Sequence, residues 1–486
     1  MSKAIIIGAG IAGIASSIRL ALKGYQVEVF EAGSIAGGKL SEMKLNNFRF
    51  DMGPSLFTMP HYVDELFALA GKNPADYFQY EKLDIVCNYF YEDGTRISAF
   101  ADRNKFANEI ATKTEDSAES VLKFLEKSSD IYDITNSVFL QRSLHKWSSY
   151  FSWQTFKSFL RFPQIDAFRS MNQAIESYFK DYKTIRFFNR YATYNGSNPY
   201  KAPATLNVIP HFEQHFGAYF PVGGMYAISS SLEKLARDLG VKFNFNSYVE
   251  EIVIENGRAQ GVKVNGISHS ADLIISNMDV WYTYQNLLKD FAVPERIQKQ
   301  ERSSSALIFY WGINRAFPDL EMHNIFFTEN YQEEFKQIWD DKSIYHDPTI
   351  YVNISSKSKT DDAPNGSENW FTMINVPSNT GQNWDELITD ARKNIIEKLS
   401  RNLGLDLRKY INCEEILDPR SIGSKTFSYQ GSLYGSSSNS QFSAFLRHAN
   451  FSSKINGLYF VGGSVHPGGG IPLALLSAKI VDGLLK

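Results

Sequence analysis

The sequence predicts an α/β fold, α+β overall, in which the two ends of the chain share one parallel sheet. At the start, "AIIIGAG" is an apolar strand that runs into glycines, and a helix follows at once. At the end, "GLYFVGGSVHPGGGIPLALLSAK", Gly457 to Lys479, repeats that order of strand, glycine-rich loop and helix. Between them lie a helical stretch and a run of strands, so the sheet is discontinuous in sequence.

The opening strand is apolar on both faces, as in a buried parallel sheet. Gly8, Gly10 and Gly13 form GxGxxG. Gly8 makes the tight turn, Gly10 lets backbone approach a pyrophosphate, and Gly13 lets the helix lie close on the sheet. The pattern predicts a helix from Ile11 to Lys23, whose N-terminal N–H groups favour phosphate. Gly24 stops it as a left-handed cap. "QVEVFE" is the second strand. It ends at Glu31, 18 residues after Gly13, where an acid binds ribose hydroxyls. Strand, glycines, helix, strand and acid in one short unit predict a Rossmann-like dinucleotide site.

Two further glycines, Gly37 and Gly38, follow the acid with Lys39, and "FDMGPS", Phe50 to Ser55, adds another close backbone approach. A simple nicotinamide enzyme goes on to its next helix here. The added contacts suit a longer cofactor whose ring travels inward, so FAD is expected and no NADP(H) site is. At the far end, "LYFVGG" reads as the last strand of the same sheet, and a helix begins near Pro472. Its positive N-terminus, aimed at the flavin N1–C2=O edge, would stabilise negative charge there. Gly468, Gly469 and Gly470 leave a flat ring unobstructed. His466 reads as a residue that holds the loop.

A chain of 486 residues holds two or three domains with sizeable cores. Its net charge of −3 gives no global basic field, so no nucleic acid is expected. Cys87 and Cys413 lie far apart and form no disulfide framework, which suits a reducing compartment. The histidines are read as offering no metal-ligand cluster, so no metal is expected. Ala4 to Ile18 is apolar, but glycines at fingerprint spacing interrupt it, so it is not read as a leader. No run reaches the ~20 apolar residues of a membrane span.

From Asn104 to about Phe188 the pattern turns helical. Ile134 to Ile165 contains no Asp or Glu but keeps Arg142, Lys146, Lys157 and Arg161. Around them stand Trp147, Tyr150, Phe151, Trp153, Phe156, Phe159, Leu160 and Phe162. Aromatics with flanking cations and no acids predict a segment that dips into a membrane surface. Beyond it, "NGSNPY" is a turn cluster, and "ENGR" and "VNG" are hairpin turns. "SALIFYWGIN" and "TIYVNIS" read as strands of a separate, substrate-domain sheet.

These motifs resemble the flavin amine oxidase and phytoene desaturase superfamily almost end to end. "RYATYNGSNPYKAPATLNVIPHFE", "YFPVGGMYAISSSLEKLARDLGVKFNFNSYVEEI" and "GLYFVGGSVHPGGGIP" are similar to the bacterial carotenoid desaturases. The resemblance implies a Rossmann-like FAD-binding domain (1–60, 222–285 and 415–486), a mixed-sheet substrate domain (61–103, 205–221 and 286–414) and a helical, membrane-facing subdomain (104–204). By position it places Ala12 and Gly13 on the pyrophosphate, Glu31 on the ribose, and Lys39, Ser55 and Leu56 on the flavin side, with Ala32, Gly38, Gly53 and Pro54 as further cofactor contacts. Val249 falls on adenine, and Asn277 at a strand end returning to the cofactor. Gly462, Gly463, Gly470, Ile471, Pro472 and Leu473 fall against the cofactor at the C-terminal turn, with the ribityl partner left unassigned. Gly463 stands where many broader relatives carry a ribityl-binding acid, and the carotenoid desaturases resemble this chain in lacking it.

The resemblance implies FAD-dependent desaturation, with hydride taken by the flavin and a proton lost. A polyene delocalises developing cation, so no catalytic base is named, and Asp51, His211 and His466 are only weak candidates. "GPSLFTMPHYVDELF" resembles the flavobacterial hydroxycarotenoid 3,4-desaturases, which implies 3',4' desaturation of 1'-hydroxy-γ-carotene or a related carotenoid. Phytoene desaturation, redox-neutral isomerisation and non-enzymatic lipid carriage remain alternatives. The expected setting is cytoplasmic and peripheral to a membrane, with oxygen or a quinone as electron acceptor.

Overall fold

The computed structural model of the protein describes residues 2–146, 153, 160–440 and 447–485, and of Ser137, Val138 and Phe162 the backbone only. Five parallel strands form the first sheet in the spatial order Lys242–Asn244, Gln26–Phe30, Lys3–Ile7, Leu273–Ser276, Leu458–Phe460. Numbered along the chain, that order is 3-2-1-4-5, the doubly wound arrangement whose ligand crevice opens beyond the carboxyl ends of the strands. The central strands are buried along their length, as their apolar runs predict. The helices Ile11–Leu22 and Ile471–Leu484 pack on each other, and Tyr226–Asp238 packs on the first of them. Leu20, Leu232, Leu235, Leu475 and Val481 share one core with the sheet.

A three-stranded antiparallel meander follows, Val249–Glu255, Arg258–Val264 and Ile267–Ser270. Its hairpins turn at Asn256–Gly257 and Asn265–Gly266, where both asparagines take left-handed backbone (φ 51° and 50°). Asn tolerates that region better than most residues, so the Asn-Gly pairs read in the sequence set the turns.

The second large sheet has seven strands in the order Ile411–Leu417, Ser305–Ile313, Glu368–Val376, Ile350–Asn353, His323–Phe326, Ile85–Phe90, Arg96–Phe100. All neighbours are antiparallel except His323–Phe326 on Ile85–Phe90. Side chains alternate faces along a strand. Leu307, Phe309, Trp311 and Ile313 therefore pack against Ile395 and Leu399 of the helix Trp384–Leu403. Ala306 and Ile308 face the opposite way and line a cavity.

From Arg103 to Gln214 the described elements are all helical. Phe106, Phe124, Phe179, Phe187 and Phe188 form their aromatic core. In the stretch expected to meet a membrane, Trp153 is 68% and Leu160 67% exposed, and the nearby Phe168 is 78% exposed. Trp147, Tyr150, Phe151, Phe156, Lys157 and Phe159 lie outside the described residues. Among the described residues no helix is long and apolar enough to cross a membrane.

Candidate active site

The strand Lys3–Ile7 ends in Gly8, whose N–H donates to Phe30 O (2.8 Å). The helix Ile11–Leu22 starts at Gly10 with no side-chain cap, so its first N–H groups stay available for a ligand. A Cβ at Gly10 would stand 2.5 Å from Asn277 Nδ2. At Gly13 it would stand 2.2 Å from Gly8 O, so Gly13 is what lets the helix lie against the strand. Glu31 closes this turn, its carboxylate accepting the Ala9 N–H (2.7 Å) and the Gly33 N–H (2.8 Å). Lys39 reaches across the cavity and donates to Leu433 O (2.8 Å). Burial pulls its ammonium pKa down to about 8, with Asp279 opposing.

The C-terminal turn meets the first one at Asn277. Asn277 N donates to Ile7 O, and Val461 N to Ser276 O, so the strand ends are level. The Gly462 N–H donates to Ser477 Oγ (2.8 Å), tying the loop to the helix Ile471–Leu484. That helix also lacks a side-chain cap at Gly470, and Pro472 sits in its first turn. Two uncapped helix N-termini therefore face one cavity.

The cavity measures about 920 Å³. That lies near the top of the ~300–1,000 Å³ usual for small-molecule sites. It runs from Glu31, Ala32 and Val249, past both glycine turns, to the open face of the seven-stranded sheet and to Leu140 and Phe212 of the helices between Arg103 and Gln214. Every residue assigned to the cofactor in the sequence lines it except Gly13, which stands behind the turn. The wall fits FAD: a glycine cradle, two free helix ends for a pyrophosphate and a ring edge, and Glu31 for a ribose.

The three weak base candidates separate. Asp51 is absent from the cavity wall. It pairs with Arg49 (2.7 Å) and accepts the N–H groups of Met225 and Tyr226 at the start of a helix. His211 is also outside the wall, stacked on Tyr132 and on His215 (ring centroids 4.7 and 4.5 Å). His211 and His215 do stand one helical turn apart, a histidine pair that the metal reading of the sequence passed over. Among the described residues no group of three metal-ligating side chains includes them. His466 lines the cavity, but its Nε2 bonds Arg142 O (2.9 Å) and its carbonyl accepts from Asn450 Nδ2 (2.7 Å). Burial takes its pKa down to about 4, so it holds the loop as a neutral ring.

Other polar residues in the wall carry no sequence motif. Arg447 is buried, and among the described residues its guanidinium bonds neutral acceptors: Tyr434 O (2.6 Å), Gly463 O (3.1 Å), Ser436 O (2.8 Å) and Asn195 Oδ1 (3.3 Å). Burial, reinforced by nearby Arg302, lowers its pKa to about 10. A buried cation beside Gly463 with no carboxylate partner among the described residues favours a ligand that carries negative charge. On the sheet side, Ser55 Oγ, Tyr351 OH and His323 Nδ1 form a chain with both links at 2.7 Å. No spacing signal in the sequence marks Arg447 or His323.

Residues 11–481 match the family of flavin containing amine oxidoreductases. A 1-hydroxycarotenoid 3,4-desaturase of Flavobacterium sp. (strain P99-3) is 50% identical over 485 residues, covering 100% of this chain and 99% of that one. A 4,4'-diapolycopene oxygenase of Methylomonas sp is 35% identical, covering 99% of this chain and 97% of that one. Among solved structures, an oxidoreductase from Methanosarcina mazei matches with a TM-score of 0.65 at 17% identity, over 99% of both chains, a likeness of fold. A match along nearly the whole chain, joined by close relatives of equal length, places this protein in the flavin containing amine oxidoreductase family, in its carotenoid desaturase branch.

Proposed function

We propose that the protein is an FAD-dependent carotenoid desaturase that forms the 3',4' double bond of 1'-hydroxy-γ-carotene or a related monocyclic or acyclic hydroxycarotenoid. The observation that carries the reading is the single cavity that joins the dinucleotide cradle to a largely apolar channel along the second sheet. The full-length relative at 50% identity supports the choice of bond. Bound FAD supplies a two-electron acceptor for hydride.

The chain's own residues then bind, orient and exclude water. Gly8, Gly10 and Ala12 with the first helix end would hold the pyrophosphate, and Glu31 with Ala32 the ribose. Val249 would meet adenine, while Gly38, Lys39 and Gly53 to Leu56 would border the flavin side. Gly462, Gly463 and the helix end Gly470 to Leu473 would border the ring, where the positive helix end and Arg447 would stabilise negative charge. Ala306, Ile308, Ile325 and Met373 give the channel an apolar wall that suits a hydrocarbon. A proton leaves the second carbon, and no side chain is assigned as its acceptor.

The reading extends to the setting. Residues 1–60, 222–285 and 415–486 form the FAD part, supported by the five parallel strands they contain. Residues 61–103, 205–221 and 286–414 form the substrate part, and 104–204 the helical part. Exposed Trp153, Leu160 and Phe168 on the helical part suit a peripheral contact with a membrane facing the cytoplasm. An insoluble substrate then enters from lipid, and oxygen or a membrane quinone takes the electrons. Turnover in liposomes tests the function. Conversion of 1'-hydroxy-γ-carotene to a product two hydrogens lighter supports it; conversion of phytoene alone, or an isomer of unchanged mass, refutes it.

A further inference from the structure

Among the described residues, two buried N–H donors in the channel wall have no acceptor. His323 lines the cavity and is 2% exposed. Its Nδ1 faces Tyr351 OH at 2.7 Å and Asn353 Nδ2 at 3.2 Å. An amide nitrogen only donates, so Nδ1 accepts and the ring proton sits on Nε2. Burial, with Arg190 nearby, lowers the imidazole pKa to about 3, so this neutral tautomer persists at working pH. Nε2 has no hydrogen-bond partner among the described residues.

Arg190 lines the same cavity. Its Nη2 donates to Tyr89 OH (2.5 Å) and Tyr194 OH (3.2 Å), and Nε has no partner among the described residues. Buried donors are nearly always paired, because an unmade bond costs the full desolvation of the group. The cavity lining includes the apolar side chains of Val86, Leu206, Ile209 and Ile325. The missing acceptor is therefore one that a ligand brings. Its place is fixed by the other end of the chain of bonds: Ser55, on the loop bordering the flavin side, bonds Tyr351 at 2.7 Å.

We propose that His323 Nε2–H and Arg190 Nε–H receive the hydroxyl oxygen of the substrate's end group and so set both its specificity and its register. This rests on the desaturase reading. In a 1-hydroxy end group the oxygen-bearing carbon is two bonds from C3, so fixing the oxygen fixes the reacting C3–C4 bond. The rest of the molecule is hydrocarbon, which slides in an apolar channel with little change in energy. A polar contact beside the reacting bond stops the sliding.

The test compares FAD-loaded wild type, His323→Phe and His323→Gln in liposomes on 1'-hydroxy-γ-carotene and on γ-carotene, which lacks the hydroxyl. Wild type is expected to favour the hydroxylated substrate by at least ~100-fold in kcat/KM, because sites built around a hydroxyl reject analogues without it. His323→Phe keeps a ring but no donor. Its kcat/KM on the hydroxylated substrate should fall about 10–100-fold, with γ-carotene almost unaffected. His323→Gln, which returns an N–H donor, should restore most of the preference. Equal use of both substrates by wild type overturns the proposal without any variant. So does an equal fall on both substrates in His323→Phe. Wild type inactive on both, with FAD bound, refutes the desaturase reading itself and this assignment with it.

Discussion

Gly13 and Arg447 show what single positions do here. A methyl group at Gly13 would meet Gly8 O at 2.2 Å, and that oxygen belongs to rigid backbone. Gly13→Ala should therefore lift the helix from the strand at a cost of about 1–3 kcal/mol, seen as a lower Tm and loss of FAD on gel filtration. Arg447→Met removes a buried cation from the wall. The reduction potential of the bound flavin should become more negative by roughly 30–60 mV, read by dye equilibration. An unchanged potential would mean that Arg447 only holds the loop. These two residues also mark the limit of the sequence. Gly13 and Glu31 are legible because local backbone demands fix their spacing. Arg447 and His323 become site residues only when distant segments meet, so no local pattern announces them.

Elements were legible where their signal is local. The first helix is read at Ile11–Lys23 and found at Ile11–Leu22, and the last is read from near Pro472 and found from Ile471. Both Asn-Gly hairpins stand where their turn chemistry puts them. The seven-stranded sheet was legible only in part, as the strands Ser305–Ile313 and Ile350–Asn353. Its order unites Ile85–Phe90 with strands beyond residue 304, and such long-range pairing leaves no periodic trace. On the helical part, Trp153, Leu160 and Phe168 carry a prediction of their own. The triple change to Ser should weaken binding to anionic liposomes at least ~10-fold in a flotation assay, since each side chain loses roughly 1.5–3 kcal/mol of burial. Unchanged flotation would remove the membrane contact from this surface.

At the scale of the whole molecule, buried charge limits stability. Glu334 is 3% exposed, and burial lifts its carboxyl pKa to about 7, with Thr349 and Lys398 opposing. The folded protein thus holds a proton that the unfolded chain releases at its ordinary value of 4.5. Stability falls as pH rises from the unfolded value toward about 7, and the penalty is complete above that. Glu334→Gln removes this titration. Its stability relative to wild type should rise by up to about 3 kcal/mol across that window, measured by urea unfolding at each end. A constant difference would show that Glu334 is ionised throughout.

The union of a dinucleotide cradle with an apolar channel has one most direct test. FAD-loaded protein in liposomes is mixed anaerobically with 1'-hydroxy-γ-carotene, while flavin absorbance near ~450 nm and carotenoid mass are followed together. The desaturase function predicts bleaching, with one carotenoid two hydrogens lighter for each FAD reduced. Full retention of the absorbance, or a carotenoid of unchanged mass, would contradict it.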